Sequence, residues 1–183
     1  MTPQTTKLIL WTGPKHAGKT TALADLVECA RRDGFSVAGL LSLARYRDGN
    51  LLGFDLLDVT TQEKNPLARR VSHPAPGPTG FTFNRAALKQ GYLILSDPHT
   101  TSADLIVIDE FGPLELDGHG WRHLIDTLLT DAPGHILIVV RDELLESVRQ
   151  LYSHLPHTTI PALEPQAADT VLQLLKSHIA NNA

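Results

Sequence analysis

Two rhythms alternate along this chain. One is the short, nearly unbroken apolar run. The other is a stretch in which apolar residues recur every three or four positions. Lys7–Thr12 (KLILWT) is of the first kind and stops at Gly13, as a buried strand does. From Lys19 to Asp33 the apolar positions are Ala22, Leu23, Leu26, Val27 and Ala30, a helical spacing, and Gly34 supplies a stop. Phe35–Tyr46 is β-like, Asp48-Gly49 signals a hairpin turn, and Leu51–Val59 is the returning strand. Gly91–Ser96 reads as a further strand. Leu105-Ile106-Val107-Ile108 is wholly apolar and ends in Asp109-Glu110, which predicts a central parallel strand with acids at its carboxyl end. Trp121, Leu124, Ile125 and Leu128 mark a helix, His135–Val140 a buried strand, and Leu144, Leu145, Val148 and Leu151 another helix. Thr158–Ile160 reads as a short last strand, and Ala168, Val171, Leu172, Leu175 and Ile179 as a C-terminal helix. Residues 60–91 follow neither rhythm. Within them His73–Gly80 (HPAPGPTG) holds three prolines and two glycines and reads as a loop, the segment expected to be most mobile.

Strands alternating with helices predict an α/β fold with a mostly parallel sheet, to which the inserted hairpin adds an antiparallel edge. No internal repeat or linker divides the 183 residues, so a single domain spanning 1–183 is expected.

The first strand runs into Gly13-Pro14-Lys15-His16-Ala17-Gly18-Lys19-Thr20, which fits G-x-x-x-x-G-K-[ST] without a mismatch and opens a helix. In that setting backbone N–H groups of the loop and of the helix N-terminus converge on phosphate oxygens. Gly18 lets the main chain curve around the anion. Lys19 is expected to reach the β- and γ-phosphates, and Thr20 to place its hydroxyl on Mg²⁺. The nucleotide-binding segment is thus Gly13, Pro14, Lys15, His16, Ala17, Gly18, Lys19, Thr20 and Thr21, and the expected ligand is a nucleoside triphosphate. At Asp109-Glu110, the first carboxylate is placed to hold Mg²⁺ with Thr20, and the second to polarise a water attacking the γ-phosphate. Arg141 directly follows the strand His135–Val140 and is expected at the same sheet edge, where a cation can stabilise γ-phosphate charge. Lys19, Glu110 and Arg141 are therefore the candidate catalytic residues.

Composition narrows the picture. Apolar residues make up 42% and charged residues 20%, which excludes wholesale disorder or a fibre. Apolar runs of about five residues fall far short of the roughly 20 of a membrane-spanning helix, so no membrane association is expected. The N-terminal MTPQTTK lacks the pattern of a secretory leader. The one cysteine, Cys29, excludes an intramolecular disulfide and a Cys-rich zinc site; a reduced compartment, most simply the cytoplasm, is expected. The formal charge of −4 divides unevenly: residues 1–92 carry 12 basic and 7 acidic residues, residues 93–183 carry 4 and 13. The acidic total and 5% aromatics argue against a nucleic-acid partner.

Four blocks carry a resemblance: Thr12–Thr21 (TGPKHAGKTT), Gly53–Leu67 (GFDLLDVTTQEKNPL), Leu105–Leu116 (LIVIDEFGPLEL) and Ile136–Leu145 (ILIVVRDELL). In these the chain resembles the small P-loop nucleoside-triphosphatase family of bacteria and archaea, the thermophile-type nucleotide phosphatases, which has a human cancer-related relative. The resemblance implies a RecA-like three-layer core and slow, Mg²⁺-dependent hydrolysis of ATP, GTP and other nucleoside triphosphates. It implies phosphate contacts from Gly13, Gly18, Lys19, Thr20 and Thr21, and Mg²⁺ and water duties for Asp109 and Glu110. A monomer is expected. Members often carry Pro-Gly where this chain has Lys15-His16.

Other residues compete for a role. Arg45 and Arg47 flank the hairpin turn, either covering the nucleotide or solvated. Glu115 is either an acid near Mg²⁺ or an ordinary loop acid, and Trp11 is a core residue or a base-stacking one. Two alternative functions share the core. One is a small-molecule or nucleotide kinase, with Arg69-Arg70 in a lid. The other is a nucleotide-gated adaptor resembling the molybdopterin-cofactor accessory family. Against the adaptor, Leu40-Leu41-Ser42-Leu43 stands where that family carries a Lys-His pair.

Overall fold

A computed structural model describes residues 7–71 and 80–182. Eight strands form one sheet in the order β5-β4-β3-β2-β6-β7-β1-β8. Five of them run parallel: β1 (Leu8–Gly13), β2 (Val37–Arg47), β6 (Leu105–Phe111), β7 (His135–Arg141) and β8 (His157–Pro161). Three more extend the sheet antiparallel beyond β2: β3 (Asn50–Asp58), β4 (Lys64–Arg70) and β5 (Phe81–Phe83). The predicted hairpin is thus the first turn of a larger meander. Most of the proline-rich segment, residues 73–79, lies outside the described residues.

Strand alternation divides the core in two. Leu8, Leu10, Ile106, Ile108, Ile136 and Ile138 face one layer, made by α2 (Arg85–Ser96), α3 (Pro98–Thr101), α4 (Pro113–Leu116), α5 (Arg122–Asp131) and α6 (Asp142–Leu151). Ile9, Trp11, Leu105, Val107, Leu137 and Val139 face the other, made by α1 (Lys19–Arg32) and α7 (Ala167–Asn182). Both faces of β1, β6 and β7 are therefore covered, which is why those strands are continuous apolar runs. Val171 and Leu175 of the predicted C-terminal stripe are buried, with Ala168 and Leu172 packed against the cluster; the Ile179 side chain lies outside the described residues.

Gly91–Ser96 is not a strand. It is the second half of α2, whose buried residues Ala87, Gly91, Ile94 and Leu95 recur at helical spacing. The Asn84 side chain caps this helix by accepting the Ala86 N–H at 2.9 Å. Tyr92 and Leu93 are about half exposed, at 51% and 52%, and with Ile94 and Leu95 they form the short apolar run that reads as a strand. Gly91 permits the close packing of α2: a Cβ there would stand 2.5 Å from the Trp121 ring. The Trp121 indole N–H in turn donates to the Leu88 carbonyl at 3.2 Å.

The chain leaves β1 toward α1 on one face and leaves the adjacent β7 toward α6 on the other. Adjacent strands whose connections diverge open a crevice at their carboxyl ends, the place where open α/β sheets bind ligands. Gly13 and Arg141 are register partners at that edge.

Candidate active site

β1 is buried throughout and delivers Gly13 to the crevice. The following loop turns through two left-handed residues, His16 at φ 60° and Gly18 at φ 95°. At Gly18 a Cβ would meet nothing within 4 Å, so glycine is favoured there by the backbone conformation and not by space. His16 adopts a glycine-like φ with its side chain exposed. That is the position where the resembling family often carries glycine, and the loop keeps its turn at a modest conformational cost. No side chain caps α1, so its first-turn N–H groups point into the crevice without a side-chain acceptor.

Lys19 is 8% exposed, and its ammonium donates to the Gly13 and Pro14 carbonyls at 2.8 and 2.7 Å. Burial lowers its pKa, while the nearby Glu110 and Asp142 carboxylates oppose that shift. Trp11 is a core residue, 1% exposed, whose indole N–H donates to the Lys19 carbonyl at 3.3 Å. It ties the first turn of α1 to β1 and does not offer a stacking face.

β6 stands two strands across from β1, with β7 between them. Its ladder with β7 shifts between Ile108 and Phe111, where the Asp109–Glu110 peptide is cis. Asp109 is 2% exposed. One oxygen, Oδ2, accepts both the Thr20 hydroxyl at 2.8 Å and the Ser42 N–H at 3.1 Å. Burial pushes its pKa up to about 6, and those two hydrogen bonds hold it from rising further. Glu110 is more open, and its carboxylate forms a short ion pair with the Arg141 guanidinium. The Thr12 hydroxyl donates to Asp142 at 2.7 Å, fastening the residue after Arg141 back onto β1. The predicted set of Gly13, Lys19, Thr20, Asp109, Glu110 and Arg141 thus converges on one edge of the sheet.

The hairpin arginines are engaged elsewhere. Arg45 pairs with Asp55 at 3.6 Å and Arg47 with Asp48 at 3.9 Å. Glu115 is neither a loop acid in solvent nor part of the Thr20–Asp109 pair. It is buried and accepts the backbone N–H groups of Gly112 at 3.0 Å and Trp121 at 3.4 Å. Burial raises its pKa, and these N–H donors offset part of the rise.

Ser42 is the residue that sequence reasoning missed. Besides its N–H bond, its hydroxyl donates to the Asp109 carbonyl at 2.6 Å. The signal was present as the one polar residue in the apolar run Leu40-Leu41-Ser42-Leu43, next to the point where β2 outlasts its pairing with β6.

The donors suit a small hard cation. Asp109 and Thr20 supply a buried carboxylate oxygen beside a hydroxyl. Among the described residues no group of three or more His, Cys, Asp or Glu side chains could hold a metal ion. A single carboxylate beside a hydroxyl suits a divalent cation that keeps most of its shell as water and ligand oxygens.

A strand, glycine loop and uncapped helix, with a buried acid two strands across, define a P-loop nucleotide-binding fold. The chain belongs to the family described as NTPase, whose model matches residues 8–174. It is 30% identical over 136 residues to the nucleoside-triphosphatase THEP1 of Saccharolobus solfataricus, covering 72% of this chain and 75% of that protein. It is also 30% identical over 147 residues to its counterpart in Thermococcus kodakarensis, covering 78% and 81%. The mouse cancer-related nucleoside-triphosphatase homolog is 26% identical over 139 residues, covering 71% of this chain and 72% of that protein. Two solved structures share the fold. The human cancer-related nucleoside triphosphatase matches with a TM-score of 0.65 at 21% identity, over 96% of each chain. THEP1 from Aquifex aeolicus matches with 0.66 at 20% identity, over 91% of this chain and 95% of that one.

Proposed function

We propose that this chain is a Mg²⁺-dependent nucleoside-triphosphatase that slowly converts ATP, GTP and other nucleoside triphosphates to diphosphate and phosphate. The observation that carries the reading is the convergence at one sheet edge of Lys19, the Thr20–Asp109 bond and the Glu110–Arg141 pair. The loop from Gly13 to Thr21, including Pro14, Lys15, His16 and Ala17, wraps the phosphates with backbone N–H groups. Lys19 exchanges its carbonyl acceptors for β- and γ-phosphate oxygens. Thr20 and Asp109 would hold Mg²⁺, which would supply charge neutralisation at the phosphate oxygens. Glu110 accepts a proton from the attacking water as the new oxygen–phosphorus bond forms and the bond from the γ-phosphorus to the β,γ-bridging oxygen breaks. Arg141 offsets charge that develops on the γ-phosphoryl group.

No helix among the described residues is long and apolar enough to cross a membrane. The proposed setting is a cytoplasmic, single-domain monomer without a nucleic-acid partner.

The test is to incubate purified protein with Mg²⁺ and each triphosphate, alone and with nucleoside or nucleotide acceptors. Phosphate release from the triphosphate alone is expected. Transfer that requires an acceptor would make the chain a kinase, and tight binding without turnover would make it an adaptor.

A further inference from the structure

Arg141 has two anionic claimants. Its Nε donates to Glu110 in a short ion pair, with the Arg141 and Glu110 side chains 28% and 32% exposed. Its backbone pairs in register with Gly13, the first residue of the phosphate loop. Because β7 lies between β6 and β1, Arg141 stands between the strand that carries Glu110 and the strand that delivers the phosphate loop, and its charge is felt at Lys19. Its main chain is fastened to β1 twice, by the ladder at Gly13 and, one residue on, by the Thr12–Asp142 hydrogen bond of 2.7 Å. Arg141 ends β7 and precedes the first residue of α6, with extended backbone at φ −76° and ψ 147°. A change of partner needs only side-chain rotation at a partly open position.

We infer that Arg141 is the residue that distinguishes triphosphate from diphosphate, because the γ-phosphate competes with Glu110 for its guanidinium. A γ-phosphoryl group carries more charge than one carboxylate and draws Arg141 away, and the released Glu110 becomes available to the attacking water. A diphosphate brings no such competitor and leaves the pair closed. Hydrolysis removes the competitor, so the pair re-forms and the bound product loses a cation that the substrate used. The inference deepens the proposed hydrolysis and rests on it: it assigns substrate-over-product selection to one ion pair at the same site.

Competition has a distinct energetic sign. If Arg141 bridged both anions, weakening its bond to Glu110 would not favour the triphosphate. If the anions compete, neutralising Glu110 frees Arg141 and tightens triphosphate binding selectively. Loss of a negative charge also tightens binding of any anion without help from Arg141, so the two effects are separated by a double-mutant cycle.

The experiment measures the Kd of a Mg²⁺-complexed, non-hydrolysable β,γ-imido triphosphate and of the matching diphosphate. The proteins are the full chain, Glu110→Gln, Arg141→Ala and the double variant. A circular dichroism spectrum and thermal transition matching wild type report an intact fold in each variant, and the charge effect common to both nucleotides cancels in the triphosphate-over-diphosphate preference. Competition predicts that Glu110→Gln raises the triphosphate-over-diphosphate preference about fivefold, the equivalent of a partly exposed ion pair. In the Arg141→Ala background the same substitution changes that preference less than about twofold. An equal gain in both backgrounds, or no gain in either, overturns the inference. Because the cycle is read from binding, it is independent of turnover. Wild-type protein that binds nucleotide but releases no phosphate contradicts the hydrolysis reading and leaves the competition measurable.

Discussion

The two halves of the sheet are built on different plans. In the parallel half, β1, β6 and β7 are covered on both faces, and their carboxyl ends gather Gly13, Asp109, Glu110 and Arg141. In the antiparallel half, β3 to β5 bury mainly one face, under α2, where Leu56, Leu67 and Phe54 pack, with Leu57 buried on the other; they carry Asp55, Arg69 and Arg70, with Arg45 on the neighbouring end of β2, instead of a continuous apolar layer. Double burial leaves few backbone options and holds the candidate reacting groups on rigid strand ends. Single burial leaves a polar face whose charges can pair locally, as Arg45 does with Asp55. The proposed chemistry is therefore confined to the first half, and substitutions in the second are expected to act mainly on stability.

Four substitutions test that division, from the largest effect to the smallest. Lys19→Ala is expected to lower phosphate release on the order of 10³-fold while circular dichroism shows an unchanged fold, since it removes a cation aimed at the phosphates. Arg141→Ala should reduce kcat/KM more than about tenfold, with KM raised as well as kcat lowered, because the guanidinium already meets the γ-phosphate of the bound triphosphate. Gly91→Val should do the reverse. Its side chain collides with Trp121, so thermal unfolding should show a loss of about 1–3 kcal/mol, roughly 2–4 °C in Tm per kcal/mol, with kcat nearly unchanged. Arg45→Ala breaks only a partly exposed ion pair and should change kcat less than about threefold and stability by no more than about 1 kcal/mol. A large loss of turnover in Arg45→Ala would move the antiparallel half into the active site.

The same division explains what could be read from the sequence. The parallel strands were legible because double burial writes them as apolar runs, and the phosphate loop because its residue types are tied to one geometry. Asp109, Glu110 and Arg141 followed from their places at strand ends. The second half was harder. β4 contains Pro66 and two arginines, and β5 is only three residues long, so neither shows a clear period. In α2, exposed Tyr92 and Leu93 hid a helical stripe inside an apolar run. Ser42 and Glu115 stand out locally, but their roles were hidden for another reason. Their roles are hydrogen bonds to the Asp109 carbonyl and to the Gly112 and Trp121 N–H groups, partners that no local spacing announces.

The central claim is that Glu110 activates water for attack on a bound triphosphate. Its most direct test is single-turnover phosphate release from Mg²⁺–triphosphate by Glu110→Gln beside wild type, with affinity for a non-hydrolysable analogue measured on the same samples. The account predicts release slowed by about 10²–10⁴-fold, with analogue affinity no weaker than wild type. Equal release rates at equal affinity would contradict it.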